Sequence, residues 1–217
     1  MTGLPEVREG DDLAALLAAA AQFEEGDVLV VSHKIVSKAE GRVLRGVEKL
    51  DAVLSEARRI LRRRDSLVIA ETRHGLVCAS AGVDASNAPE PGSLVLLPLD
   101  PDASAAGIRD RVRELTGKTV GVVVSDSFGR PWRMGTTDVA LGAAGIRVLE
   151  DLRGTKDRIG YELRSTQIAI ADELAGAAQL VMGKADGIPV AVIRGLDVAG
   201  DGSALELVMP PERDLFR

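Results

Sequence analysis

Ser66-Leu67-Val68-Ile69-Ala70-Glu71-Thr72-Arg73-His74-Gly75-Leu76-Val77-Cys78-Ala79-Ser80 is the stretch that decides the fold class. Its two ends, Ser66–Ala70 and Leu76–Ser80, read as strands, and the polar turn around Arg73-His74-Gly75 joins them as close neighbours. Outward from it, Asp27-Val28-Leu29-Val30-Val31-Ser32 is a continuous apolar run that predicts a strand buried on both faces. Ser93–Leu97 predicts a strand closed by Pro98, Thr119–Val124 the most strand-like segment of the chain, and Pro189–Ile193 a last strand. Helices are predicted from Asp11-Asp12 through the Ala-rich run to near Gly26, and over Ala103–Leu115 and Thr166–Met182. A further helix is expected over Asp51–Arg64, where Val53, Leu54, Ala57, Ile60 and Leu61 recur at helical spacing. Strands and helices are interspersed without regular βαβ spacing, which predicts an α+β fold rather than a doubly wound α/β sheet. No repeat or linker divides residues 1–217, so a single domain is expected, with any second lobe interleaved with the first.

A chain of 217 residues can bury roughly 70% of its unfolded surface, so a stable core is assured. Lys plus Arg is 27 and Asp plus Glu 33, a net charge of −6, and aromatic residues make up 2%. Nucleic-acid binding calls for a basic surplus or aromatic platforms, and the scattered Phe23, Phe128, Trp132, Tyr161 and Phe216 supply neither. The single Cys78 forbids an intrachain disulfide and a thiolate metal cluster, which fits a reduced, cytoplasmic setting. No apolar run approaches the roughly 18 to 20 residues of a membrane span, and no signal segment is recognisable, so neither a membrane nor export is expected. The 23 Gly point to many tight turns, whose positions decide whether they serve a site.

Asp84 lies in Ser80-Ala81-Gly82-Val83-Asp84-Ala85-Ser86-Asn87 and Asp126 in Val124-Ser125-Asp126-Ser127-Phe128-Gly129-Arg130, both at strand ends. Carboxylates there start turns more often than they bind metals. Two of them with a hydroxyl nonetheless make a hard-oxygen site for Mg²⁺ or Mn²⁺. Ser32-His33-Lys34-Ile35-Val36-Ser37-Lys38 leaves the first strand with groups able to hold phosphate, although the chain has no Walker A loop and no Gly-x-Gly-x-x-Gly turn. His33 and His74 lack zinc-pair spacing, no Ser sits in a nucleophile elbow, and the charged Asp151–Glu162 segment reads as a surface loop. The Arg58, Arg59, Arg62, Arg63, Arg64 cluster reads as a solvated helix end ahead of a phosphate contact.

In order, Gly3-Leu4-Pro5-Glu6-Val7, Lys34–Gly41, Ala81–Asn87, Ser125–Gly135, Ile168–Ala175 and Gly187-Ile188-Pro189-Val190 resemble the coenzyme F420-0:γ-glutamyl ligase family across nearly the whole chain. Each block alone is weak, and their joint occurrence is specific. The resemblance implies two interleaved α+β lobes with mixed or antiparallel sheets, neither P-loop nor Rossmann. It implies a cytoplasmic homodimer that uses GTP to join L-glutamate to coenzyme F420-0 through an acyl phosphate, releasing GDP and phosphate. Two divalent ions, Mg²⁺ or Mn²⁺, and a monovalent cation such as K⁺ come with it. Carried over, Asp84 and Asp126 would hold one metal and act in catalysis, and Ser127 would contribute to a second. Leu4, Pro5, Glu6 and Val7 would line the guanine nucleotide, with His33, Lys38 and Asn87 also there. Lys184 stands where many members carry a further metal-ligating Gln or Glu, which implies an altered second metal site or a direct phosphate contact. The reductase domain of two-domain relatives is not expected here. A non-catalytic carrier of GTP or the deazaflavin coenzyme on the same fold is the alternative that Lys184 motivates.

Overall fold

The computed structural model describes residues 1–215, so Phe216 lies outside it. In chain order the elements are α1 (Leu13–Ala20), β1 (Val28–Ser32), α2 (His33–Ala39), β2 (Val43–Leu44), α3 (Lys49–Glu56), β3 (Ala57–Arg64), β4 (Leu67–Thr72) and β5 (Val77–Ala79). They continue with β6 (Leu94–Val95), α4 (Pro101–Thr116), β7 (Gly121–Arg130), β8 (Arg133–Ala144), β9 (Glu150–Asp151), β10 (Gln167–Ile168), α5 (Ile170–Met182) and β11 (Val190–Ile193). Among the described residues no helix is long and apolar enough to cross a membrane.

The central sheet has the order β11-β1-β7-β8 and is mixed. β1 pairs parallel with β7, from Val28↔Gly121 to Ser32↔Ser125, and antiparallel with β11, while β7 and β8 form a long hairpin. Side chains alternate across a strand, so Leu29, Val31, Val122 and Val124 face one side, where α1 and α4 cover them with Leu13, Leu17, Ile108 and Val112. Val28, Val30 and Val123 face the other side, against Leu174, Ala175 and Ala178 of α5. The continuous apolar run of β1 is thus explained by burial on both faces. A third cluster, with Ala52, Val53, Val68, Ala70, Val83, Leu94 and Leu96, packs between α3 and the small sheets β3-β4-β5 and β2-β6. The α+β class, with mixed and antiparallel sheets, is therefore as expected.

The Asp51–Arg64 helix is a correction. α3 ends at Glu56, and Ala57–Arg64 pairs with β4 through two irregularities in register. Glu56 is buried and receives Arg42 at 2.7 Å and Arg73 at 2.9 Å, which anchors the helix end. Beyond it Glu71 of β4 faces Arg58 at 3.4 Å and Arg59 at 3.0 Å, and Asp65 (φ 54) takes the left-handed turn that joins the strands. Tertiary pairing and charge outweigh the helical spacing of Ile60 and Leu61. The arginines are solvent-facing, as read, but on a strand. Likewise α1 stops at Ala20, α5 begins only at Ile170 because Gln167-Ile168 pairs with β9, and α2 and β8 have no counterpart among the elements expected from sequence.

α4 is held at both ends. Asp100 caps it by accepting from Ala103 N at 3.0 Å, Pro101 fills the first turn, and Gly117 (φ 71) closes it. Gly142 lets that first turn rest on β8, since a Cβ there would collide with the Pro101 carbonyl. At the base of β1, buried Asp27 takes a bidentate grip from Arg194 beyond β11, Nε at 2.7 Å and Nη2 at 2.8 Å. Arg194 holds the Asp27 carboxyl below its usual range against the opposing effect of burial, with help from the Glu24 amide.

Gly142→Ala should lower stability by about 3 kcal/mol, read by urea denaturation, because its clash is with backbone. Asp27→Asn should cost about 2 kcal/mol at pH 7. A depressed carboxyl pKa stabilises above the unfolded value of about 3.9 and loses that contribution as pH falls through the folded value. The gap between Asp27→Asn and the parent should therefore close between about pH 5 and pH 2, and a gap independent of pH would contradict the assignment.

Candidate functional site

The C-terminal end of β1 lies level with Ser125 of β7, so α2 leaves β1 directly beside Asp126 and Ser127. A cleft of about 350 Å³ opens there. It is lined by Leu4–Val7 of the N-terminal segment, Lys34 and Lys38 of α2, Asn87, Ser125–Ser127 of β7, Asp138 of β8, and the Met182–Lys184 and Gly187–Pro189 turns. The N-terminal segment is pinned by the Met1 ammonium, which donates to Val190 O at 2.5 Å, and by Val7, buried in the core. Gly183, at φ 62 and ψ −170, occupies a region open essentially to Gly alone and turns the chain out of α5 toward Lys184.

Lys34 is the hub. Its nearly buried ammonium lies 2.9 Å from Asp84 Oδ2 and 4.0 Å from Asp126 Oδ1. Burial alone would raise the Asp84 carboxyl, but Lys34 and the amide and hydroxyl of Ser86 outweigh it and hold the group well below the carboxylate range. Asp126 is more deeply placed. Burial again opposes its charge, and His33 foremost, then Lys34 and the Ser127 amide, pull its pKa down. Both carboxylates are therefore ionised at neutral pH. His33 is fully buried behind Asp126, with Nε2 3.3 Å from Oδ1, close enough for charge attraction though the approach is not aligned as a hydrogen bond.

Of the residues singled out from sequence, Leu4, Pro5, Glu6, Val7, Lys38, Asn87, Asp126, Ser127 and Lys184 line the cleft. Lys38 donates to Glu6 at 2.5 Å and Asn87 to the Lys184 carbonyl at 3.3 Å, so α2 is tied to the N-terminal segment on one side of the cleft and the Asn87 loop to the α5–β11 turn on the other. Asp84 reaches the cleft through Lys34, and His33 stands behind the wall rather than on it. Asp138 and Gln179 are not singled out by the sequence, and Lys34 reads there only as one of the phosphate-holding groups that leave the first strand, not as the partner of the two aspartates. Lys34 was legible, because it shares a helix face with Lys38 four residues on. Asp138 had no signal of its own in the Gly- and Thr-rich start of β8.

The residues fit a divalent cation of the hard class. Two ionised carboxylates already face one positive charge, the Lys34 ammonium, and a hydroxyl stands beside them. Among the described residues no three His, Cys, Asp or Glu side chains form a ligand cage. An ion here would complete its shell with water and the phosphates of a bound molecule, as Mg²⁺ sites commonly do. The facing lysines Lys34, Lys38 and Lys184 suit the same phosphates.

Removing the cation tests this electrostatic account. Lys34→Met should destabilise the ligand-free protein by about 2 kcal/mol at pH 7, because Asp126 and Asp84 lose their shared partner. Unchanged stability in urea denaturation would mean that Lys34 does not hold the pair.

Comparisons with known proteins identify the family. The family model described as F420-0:Gamma-glutamyl ligase matches residues 3–48 and 45–195. The chain is 45% identical over 237 aligned positions to the coenzyme F420:L-glutamate ligase of Methanopyrus kandleri, covering 98% of this chain and 94% of that one. It is 44% identical to the protein of that name in Archaeoglobus fulgidus, covering 99% and 94%, and 41% identical to that of Methanocaldococcus jannaschii, covering 99% and 94%.

Proposed function

The chain belongs to the F420-0:gamma-glutamyl ligase family, and on that premise we propose that it joins L-glutamate to coenzyme F420-0 at the expense of GTP. The observation that carries the reading is Asp126 on the wall of a lysine-lined cleft, with Lys34 bridging it to Asp84. The coenzyme carboxylate attacks the γ-phosphorus of GTP, GDP leaves, and an acyl phosphate results. The glutamate amine then attacks the acyl carbon, the amide forms, and phosphate leaves with a proton lost from nitrogen. Further rounds add γ-linked glutamates.

Phosphoryl transfer to a carboxylate asks for positioning and charge neutralisation more than for covalent chemistry. A divalent ion held by Asp84 and Asp126, with a second near Ser127, would supply Lewis-acid neutralisation of the transferring phosphoryl group. Lys34 neutralises the two carboxylates in the free protein and would be available to phosphate wherever an ion held by them did so in its place. Lys38, released from Glu6, and Asn87 face the same phosphates, and the pinned Leu4–Val7 backbone offers amides and carbonyls to the base. His33 acts from behind by holding Asp126 ionised. Lys184, exposed on its Gly-bounded turn, adds a positive charge where relatives are expected to carry a metal ligand.

Residues 1–217 act as one ligase unit, the α3–β6 lobe being inserted between β1 and β7. A homodimer is the proposed assembly. The outer half of the β7–β8 hairpin runs beyond its β1 neighbour and exposes Met134 (94%) and Trp132 (79%), and a two-stranded ribbon gains little stability alone. The buried Cys78, its thiol pushed up to about 12 mainly by burial, is inert and suits a reducing cytoplasm.

Purified protein given GTP, Mn²⁺, L-glutamate and coenzyme F420-0 should yield GDP, phosphate and a glutamylated coenzyme by mass spectrometry. Asp126→Asn should lower the rate by at least about 10³-fold with the fold retained. GTP left intact in the complete mixture would refute the reading, and tight binding of GTP or coenzyme without product would establish a carrier instead.

A further inference from the structure

Around Ser127 the hydrogen bonds leave no freedom of assignment. The Asp138 amide donates to Gln179 Oε1 at 3.0 Å. An N–H can only donate, so the oxygen of the Gln179 side chain must face it, and Nε2 is the atom turned to Ser127 Oγ at 3.2 Å. That amide takes one lone pair of the hydroxyl. Ser127 in turn donates its single proton to Asp138 Oδ1 at 2.6 Å, and Asp138 Oδ2 accepts the Ser125 hydroxyl at 3.1 Å. Asp138 is itself buried and is the register partner of Ser127 across the β7–β8 hairpin, and Gln179 comes from α5.

A hydroxyl has one proton and two lone pairs. Here the proton and one lone pair are committed to protein groups, so Ser127 has only a lone pair to offer to the cleft it lines. It cannot donate a hydrogen bond there. We propose that Asp138 and Gln179 are positioning residues that lock Ser127 as a lone-pair donor toward the divalent cation. This rests on the reading of Asp126 and Ser127 as cation-holding groups. The lock also selects against a rotamer in which the hydroxyl proton points at the ion. Asp138 borders the cleft as well, and each of its oxygens already receives a serine hydroxyl. Each keeps a second lone pair, so action through Ser127 and direct ligation are told apart by a Ser127→Ala background.

A mutant cycle on Mn²⁺ binding separates these roles. Mn²⁺ affinity is measured by equilibrium dialysis, with a non-hydrolysable GTP analogue on both sides and no acceptor or glutamate present. Gln179→Met keeps the length of the side chain and removes its hydrogen bonds, and Asp138→Asn keeps the shape but can accept only one of the two serine hydroxyls. Each should weaken Mn²⁺ binding roughly tenfold, the scale of groups that orient metal ligands. In a Ser127→Ala background neither should weaken it further, because the group they orient is gone. Additive losses in that background would show direct action by Asp138 and overturn the inference, as would unchanged affinity in Gln179→Met. Gln179 is half-buried on α5, so its variant carries the test even if Asp138→Asn fails to fold. If the unsubstituted protein takes up no Mn²⁺ under these conditions, the cation reading itself fails and the inference falls with it.

Discussion

The parallel pairing of β1 with β7 is the constraint on which everything else depends. β1 and the first half of β7 are apolar on both faces, and their register, Val31↔Val124 and Ser32↔Ser125, brings the end of β1 level with the middle of β7. The chain turns polar just there on both strands, at Ser32-His33-Lys34 and Ser125-Asp126-Ser127. A slip of one residue would send every β7 side chain to the opposite face. Asp126 would then leave Lys34, and Ser127 would leave Asp138. Burial of the two strands thus sets the position of the charges at the cleft.

The electrostatics derive from that placement. Burial of Asp126 opposes its charge, and it remains ionised because His33 and Lys34 stand against it. Lys34 is nearly buried too and is held by the carboxylates it serves. The group is close to self-neutralising in the free protein. A cation held by these carboxylates would therefore compete with an ammonium rather than enter an uncompensated acidic pit, and the displaced ammonium would be free for phosphate. The net charge of −6 is a property of the whole surface, whereas the cleft presents three lysines beside its carboxylates.

Much of this was legible in the sequence where one physical demand acted alone. β1, the first half of β7 and β11 are uninterrupted apolar runs, and burial on both faces is the only setting that suits them. The Ser66–Ser80 hairpin carries its own turn. Reading failed where two demands competed. Ala57–Arg64 has helical spacing, but Glu71 and the unpaired edge of β4 draw it into a strand. β8 has no alternation in its Ala- and Gly-rich half, because Gly142 answers to the approach of α4 and not to the sheet. At the site, family likeness located Leu4–Val7, Asn87 and the two aspartates in one region. The family likeness assigns His33 to the nucleotide, and the structure places its side chain behind Asp126. Asp138 and Gln179 act through hydrogen bonds across three elements, which no local pattern encodes.

The central claim is that a divalent cation replaces the Lys34 ammonium between Asp84 and Asp126. The most direct measurement is an anomalous difference map at the manganese edge, from crystals grown with Mn²⁺ and a non-hydrolysable GTP analogue. A peak within bonding distance of both carboxylates is expected, with Lys34 turned away onto a phosphate oxygen. Manganese bound elsewhere, with Lys34 still bridging Asp84 and Asp126, would contradict it.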